Sequence, residues 1–200
     1  MDYWLGTTKS PEQSLEKAIE LTQKAIALDD SYPYGHAALG HWYCYKREYG
    51  KALAEGERAL ALNPSGADIH AYYGFILTYA GRPEEAIPLF KKAIRLNPFA
   101  PAWYYLYLGE SYQFTGRFEE AVSAYKKALQ LTPDSIFTHV FLAATCSMVG
   151  REKDARAEAA EVLRVNPKFS LDYSARIISV FKDQSVNDKL IDALRKAGLK

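Results

Sequence analysis

Apolar and small residues recur along this chain on two length scales. On the short scale, Ala102 to Thr115 carries aromatic and aliphatic side chains at helical spacing, and Gly116 breaks the run as a left-handed C-cap would. After Arg117-Phe118-Glu119-Glu120, the positions Ala121, Tyr125 and Ala128 follow at i, i+4 and i+7, one face of a second helix. Thr132-Pro133 stops it, because proline lacks the N–H a helix needs. On the long scale this two-helix unit returns. Asn63-Pro64, Asn97-Pro98, Thr132-Pro133 and Asn166-Pro167 are spaced by 34, 35 and 34 residues. Ala52, Ala86, Ala121 and Ala155 repeat that spacing, as do Gly40, Gly74, Gly109 and Ala143. Gly81, Gly116 and Gly150 mark the turn inside three units. Separate ladders sharing one period and one insertion define an internal repeat.

The pattern predicts helices over 12–29, 33–46, 49–62, 67–80, 83–96, 101–115, 117–131, 135–149, 151–165, 170–182 and 186–197, and no strand. Small residues at Gly109 and Ala121 let paired helices approach, and Tyr112 and Tyr125 fill the space beside them. Small beside large at a fixed period specifies one packing angle, repeated, which builds an all-α solenoid of stacked antiparallel helix pairs. Two positions interrupt the pattern. Pro88 falls inside a predicted helix, near enough to its start that only the first turn and a half need adjust. The extra residue between Pro98 and Gly109 either lengthens the loop at Pro101 or forms a π-bulge within 103–108.

Composition narrows the class. The 200 residues are 48% hydrophobic and 24% charged, a globular balance with enough chain for a sizeable core. Lys and Arg number 25 against 24 Asp and Glu, so the net charge of +1 leaves no basic footprint for nucleic acid. Cys44 and Cys146 lie in different repeats and suggest free buried thiols, neither a disulfide framework nor a zinc site. No apolar run reaches the ~18 residues of a membrane span, and Met1-Asp2-Tyr3-Trp4 lacks the start of a secretion signal, so a cytoplasmic location is expected.

Candidate chemistry changes this picture little. His36, His70 and His139 occupy the same position in different repeats, too far apart to converge on one metal ion. Ser and Cys nucleophiles have no base at a spacing that shares their face, and glycines occur singly, never as a phosphate loop. Glu84-Glu85, Glu119-Glu120 and Asp154 recur at the start of second helices, where they favour the helix dipole. The expectation is therefore no catalytic residue, no metal and no cofactor: a protein that is not an enzyme.

The set Leu108, Gly109, Tyr112, Gly116, Ala121, Tyr125, Ala128 and Pro133, at its period of 34, resembles the tetratricopeptide repeat (TPR) family. The resemblance covers nearly the whole chain as one TPR domain. It divides into a degenerate first repeat at 1–32, full repeats at 33–66, 67–101, 102–135 and 136–169, and C-terminal capping helices at 170–200. Leu5-Gly6, Ala18 and Ala25 match the family in the first of these. Arg47 in place of the turn glycine, Gly56 in place of the large residue of a second helix and Ala143 in place of glycine depart from it. A narrower likeness, over Pro98-Phe99-Ala100-Pro101-Ala102-Trp103-Tyr104 and a final segment carrying Phe169-Ser170, Phe181-Lys182 and Ala193-Leu194-Arg195-Lys196-Ala197-Gly198-Leu199, is to TPR tails of bacterial class III adenylate/guanylate cyclase-like signalling proteins.

The TPR resemblance implies a right-handed superhelix whose concave face is made by the first helix of each pair, through its positions 2, 5, 9, 12 and 13. Those positions supply Tyr34, His41, Tyr45, Phe75, Tyr79, Trp103, Glu110, Phe114 and Phe137 as candidate groove residues, which also accounts for some of the 15 tyrosines. The Lys/Asn/Arg clamp of chaperone-binding relatives is absent. The implied function is a protein-interaction scaffold that binds a partner peptide or protein in an aromatic groove, with Asp68 and Glu110 favouring a basic residue in the ligand. Two alternatives stand beside it. One is a non-catalytic regulatory or oligomerisation tail of a cyclase-type signalling protein, the terminal helices being where a second copy would dock. The other is an RNA-binding helical repeat, which would need a basic concave face.

Overall fold

The computed structural model describes residues 11–171 and 180–200, and among these every regular element is an α-helix. In chain order they are α1 Pro11–Leu28, α2 Pro33–Tyr45, α3 Tyr49–Leu62, α4 Ala67–Tyr79, α5 Pro83–Leu96, α6 Ala102–Phe114, α7 Phe118–Leu131, α8 Ile136–Met148, α9 Glu152–Val165 and α10 Gln184–Lys196. The expected helix 170–182 and the Leu5-Gly6 match fall largely or wholly outside the described residues. Each of α2, α4, α6 and α8 packs against the helix that follows it as an antiparallel pair. Successive pairs stack, α4 against α2 and α3, α6 against α4 and α5, α8 against α6 and α7, so the first helices adjoin along one face. The result is a right-handed superhelical solenoid.

The turns between paired helices show why glycine recurs there. At Gly81, Gly116 and Gly150 the backbone is left-handed, with φ of 82°, 74° and 74°. In each the next residue's N–H reaches back across the turn, Arg82 to Leu77 O and Arg117 to Tyr112 O, both at 2.8 Å. Arg47 takes the same conformation at φ 59° and makes the same bond from Glu48 to Tyr43 O at 2.9 Å. An L-residue there is strained by about 1–2 kcal/mol, offset in part by the unfolded-state freedom a glycine would bring. Arg47→Gly is therefore expected to stabilise the protein by on the order of 0.5–1 kcal/mol. A thermal melt with Tm unchanged or lowered would remove this account of the turn.

The small-to-large pairing is geometric. A Cβ built on Gly109 would stand 2.5 Å from the Tyr125 ring, and one on Gly74 would stand 2.9 Å from Phe90. Where the second helix carries Gly56, the next pair supplies the volume: a Cβ there would meet Tyr73 at 2.5 Å and Ile76 at 3.1 Å. The missing large side chain is thus replaced from the neighbouring repeat. Pro88 sits exposed inside α5, which runs unbroken through it. The extra residue lies in the loop: α6 is an uninterrupted α-helix of 13 residues starting at Ala102, and 97–101 carries the insertion, with Phe99 on its tip 92% exposed.

The repeated histidines tie the pairs together. His36, His70 and His139 each place Nε2 at 2.8–2.9 Å from the carbonyl six residues back, at Asp30, Pro64 and Pro133. Nδ1 of His36 and of His139 also meets a carboxylate nineteen residues on, Glu55 and Glu158, both at 2.6 Å. After His70 that place holds Leu89, and His70 Nδ1 is buried without a partner. The Glu158 hydrogen bond raises His139 above the usual imidazole pKa, whereas burial lowers His70. The stability from the pairing of His139 with Glu158 is thus fully present below the unfolded value of about 6.5 and is lost as pH rises through the folded one. For His70 the sign reverses, and stability falls as pH drops below about 6.5. NMR titration of the imidazoles should find His139 titrating above His70, and Glu158→Gln should bring His139 down. A single common pKa for the two would contradict it.

Candidate functional site

The face lined by α2, α4 and α6 is built almost entirely of rings. Phe75 is its centre, 1% exposed. Its ring meets His41 edge-on at 4.4 Å, Tyr79 at 4.1 Å and Tyr107 at 4.8 Å between centroids. Trp103 lies 5.2 Å from Tyr72 and 6.2 Å from Tyr107. The Tyr45 hydroxyl is 2.9 Å from His41 Nε2. Burial among these rings lowers the His41 pKa to about 4, so the imidazole is neutral at neutral pH. Two hollows open on this face: one of about 190 Å³ between His41, Tyr72, Phe75, Trp103 and Tyr107, and one of about 120 Å³ beside it, with Glu110 and Phe137 in its wall.

The nine residues expected in the groove divide into three groups. His41, Tyr45, Phe75, Trp103, Glu110 and Phe137 surround the two hollows. Tyr34 stands apart at the start of α2, exposed, with its ring 5.7 Å from Tyr32. Tyr79, which also lines the smaller hollow, and Phe114 face a segment of the same chain, because Phe181 wedges between them at 4.4 Å and 4.7 Å. The Lys182 N–H donates to Tyr79 O at 3.1 Å, and the Tyr49 hydroxyl donates to Val180 O at 2.8 Å. Beyond this wedge, α10 packs on α8 through the buried Leu190 and Leu194. Val186 and Leu190 border a third hollow with Phe114 and Met148. That end of the concave face is therefore covered by the C-terminal segment, and among the described residues the two hollows that begin at His41 remain open.

Reading the sequence by fixed repeat positions misses Tyr72 and Tyr107, although both line the larger hollow. They stand at position 6 of α4 and α6, where α8 has Phe141 and α2 has Ala38. Positions 2, 6, 9 and 13 follow at steps of four, three and four, the spacing of one helical face. Three large aromatic rings at one repeat position were the available signal.

Of the two acidic groups expected here, Asp68 is occupied as acceptor for the Tyr104 hydroxyl. Glu110 differs. It is 1% exposed, its Oε2 has no hydrogen-bond partner, and it lines the smaller hollow. Burial pushes its carboxyl well above the usual carboxylate range, opposed by hydrogen bonding from Tyr79. Burial likewise raises the thiols of Cys44 and Cys146, both free. Among the described residues no three metal-binding side chains cluster, and no helix is long and apolar enough to cross a membrane.

Comparison with known proteins agrees with this architecture. The tetratricopeptide repeat family's sequence pattern matches residues 66–134. The cell division cycle protein 27 homolog of Caenorhabditis elegans is 32% identical over 95 residues, 46% of this chain but 12% of that protein, so the chain spans only a small part of that relative. Among solved structures, TTC0263, a thermophilic TPR protein of Thermus thermophilus, superposes with a TM-score of 0.70 at 25% identity, covering 89% of this chain and 92% of that one. YrrB, a TPR protein with an unusual peptide-binding site, superposes with a TM-score of 0.58 at 20% identity, covering 90% and 92%. Residues 66–134 thus carry the tetratricopeptide repeat pattern, and the chain has the fold of TPR proteins.

Proposed function

We propose that this chain holds a segment of a partner protein on its concave face, with the half-exposed rings of α2, α4 and α6 as anchors, and that it has no catalytic role of its own. The observation that carries this reading is the pair of open hollows among His41, Tyr72, Phe75, Trp103 and Tyr107 on the face where first helices adjoin. Tyr and Trp suit recognition because each offers large area, few rotatable bonds and a polar tip. The similarity to YrrB, described as having a peptide-binding site, supports it. Among the described residues, Lys and Arg are absent from the lining of both central hollows, which speaks against RNA as the ligand. The cyclase-tail alternative gains nothing from the relatives above. A cytoplasmic setting, one domain over 1–200 with the boundaries given above, and self-association through the ends belong to the same proposal.

The test is selection of binding peptides from a displayed random library, followed by affinity measurement on variants. Trp103→Ala and Tyr72→Ala should each cost about 1–3 kcal/mol of binding, while Lys92→Ala on a second helix should cost little. Peptides that bind all of these variants equally would place recognition elsewhere on the molecule.

A further inference from the structure

The two hollows share His41 and Tyr107, so they adjoin, and they differ in what they offer a ligand. The larger is walled by rings alone. The smaller has at its wall a buried carboxyl whose Oε2 meets no donor. Among the described residues no Lys or Arg pairs with Glu110, and the imidazole that shares its hollow, His41, is engaged by Tyr45. A buried acid with one oxygen unpartnered is costly to keep, and the ring faces beside it carry the negative side of their quadrupoles. Both features attract the same kind of guest. Each hollow is smaller than the ~300–1,000 Å³ of a drug-sized site and suits one side chain.

We propose that the adjoining hollows of α2, α4 and α6 form a receptor for an organic cation, the basic side chain of a partner segment, held against Trp103, Tyr72 and Tyr107 with Glu110 as its counter-ion. This rests on the groove reading above and names the chemistry of its ligand. In the empty site burial favours the protonated form of the Glu110 carboxyl. Among the described residues the groups that face it are hydroxyls and a neutral imidazole: Tyr79 from α4, Tyr107 from its own α6, Tyr125 from α7, and His41 with Tyr45 from α2. None carries a positive charge at neutral pH, so the arriving cation supplies the stabilisation that ionises the acid. One proton leaves Glu110 for solvent as the cation binds, and affinity rises with pH up to the free-site pKa.

The full chain, isotope-labelled, is titrated with n-butylammonium, n-butylguanidinium and neutral n-pentanol, read at the Trp103 indole N–H and the Tyr107 amide. Both cations should bind more tightly than the alcohol by about tenfold or more, as expected of a desolvated cation facing a carboxylate. Glu110→Gln keeps the shape and should erase that preference while leaving n-pentanol binding unchanged. Trp103→Leu, at a half-exposed position, should weaken both cations. Calorimetry in buffers of different ionisation enthalpy should find proton release with the wild type and none with Glu110→Gln. Equal binding of alcohol and cation, or a preference that survives Glu110→Gln, overturns the proposal. Library peptides that dock on these rings without a basic residue would overturn it while leaving the groove reading intact. Peptides docking elsewhere, with cation preference kept in the hollow, would overturn the groove reading instead.

Discussion

Tyr125→Ala is expected to lose about 3–5 kcal/mol of stability, the largest effect of any single substitution proposed. The ring is fully buried and fills the space that Gly109 leaves open, as close as 2.5 Å to where a Cβ on Gly109 would stand. It also lies 6.2 Å from Phe141 of the next pair, so one side chain joins two repeats. Its hydroxyl donates to Gln113 Oε1 at 2.7 Å, a buried acceptor that truncation would strand. At this chain length each kcal/mol moves Tm by about 2–4 °C, so the melt should fall by roughly 10 °C. Because a solenoid's contacts run only between neighbours, hydrogen exchange should accelerate first in α6 to α8. A loss under about 1 kcal/mol would mean that the cavity collapses and that the fit of Tyr125 over Gly109 is not what sets the packing.

Phe181→Ala is the second. Phe181 is 3% exposed, and its ring closes on Tyr79 and Phe114. Truncating a buried Phe costs about 3–5 kcal/mol where the surroundings hold their shape. Here the loss should be confined to the C-terminal segment, since the repeats beneath retain their own pairing. The expected result is release of residues 180–183 from the concave face, with rapid exchange of the Lys182 amide that now bonds Tyr79 O. Tyr79 and Phe114 would then become exposed, and the open aromatic face would lengthen toward α8. Protection of the Lys182 amide unchanged from wild type would show that the segment is held by α10 instead.

These two residues mark how far the sequence could be read. Tyr125 was legible because its partner glycine recurs at the same 34- to 35-residue period, and that repetition carries both the helix bounds and the packing. Even the departures followed local rules, as when Ile76 and Tyr73 fill the volume beside Gly56. Phe181 was not legible. It lies outside the period, and where a non-repeating segment docks depends on the shape of a surface assembled from distant helices. The groove fell between these cases. Its stripe was legible, yet Tyr72 and Tyr107 escape a fixed set of positions and emerge only from the helical spacing itself. The histidine pairing was also written in the chain, since Glu55 and Glu158 each follow a repeat histidine by nineteen residues and Leu89 breaks the pattern. The burial of Glu110 was not, because Oε2 is cut off from water only once the helices around it have packed.

The central claim is that the rings of the first helices, and not the second-helix surface, receive a partner segment. The most direct measurement is amide and indole shift mapping of the labelled full chain on addition of a library-selected peptide. The account predicts saturable shifts centred on the Trp103 indole N–H and the amides of Tyr72, Phe75 and Tyr107. Shifts confined to α3, α5, α7 and α9, with the Trp103 indole unmoved at saturation, would contradict it.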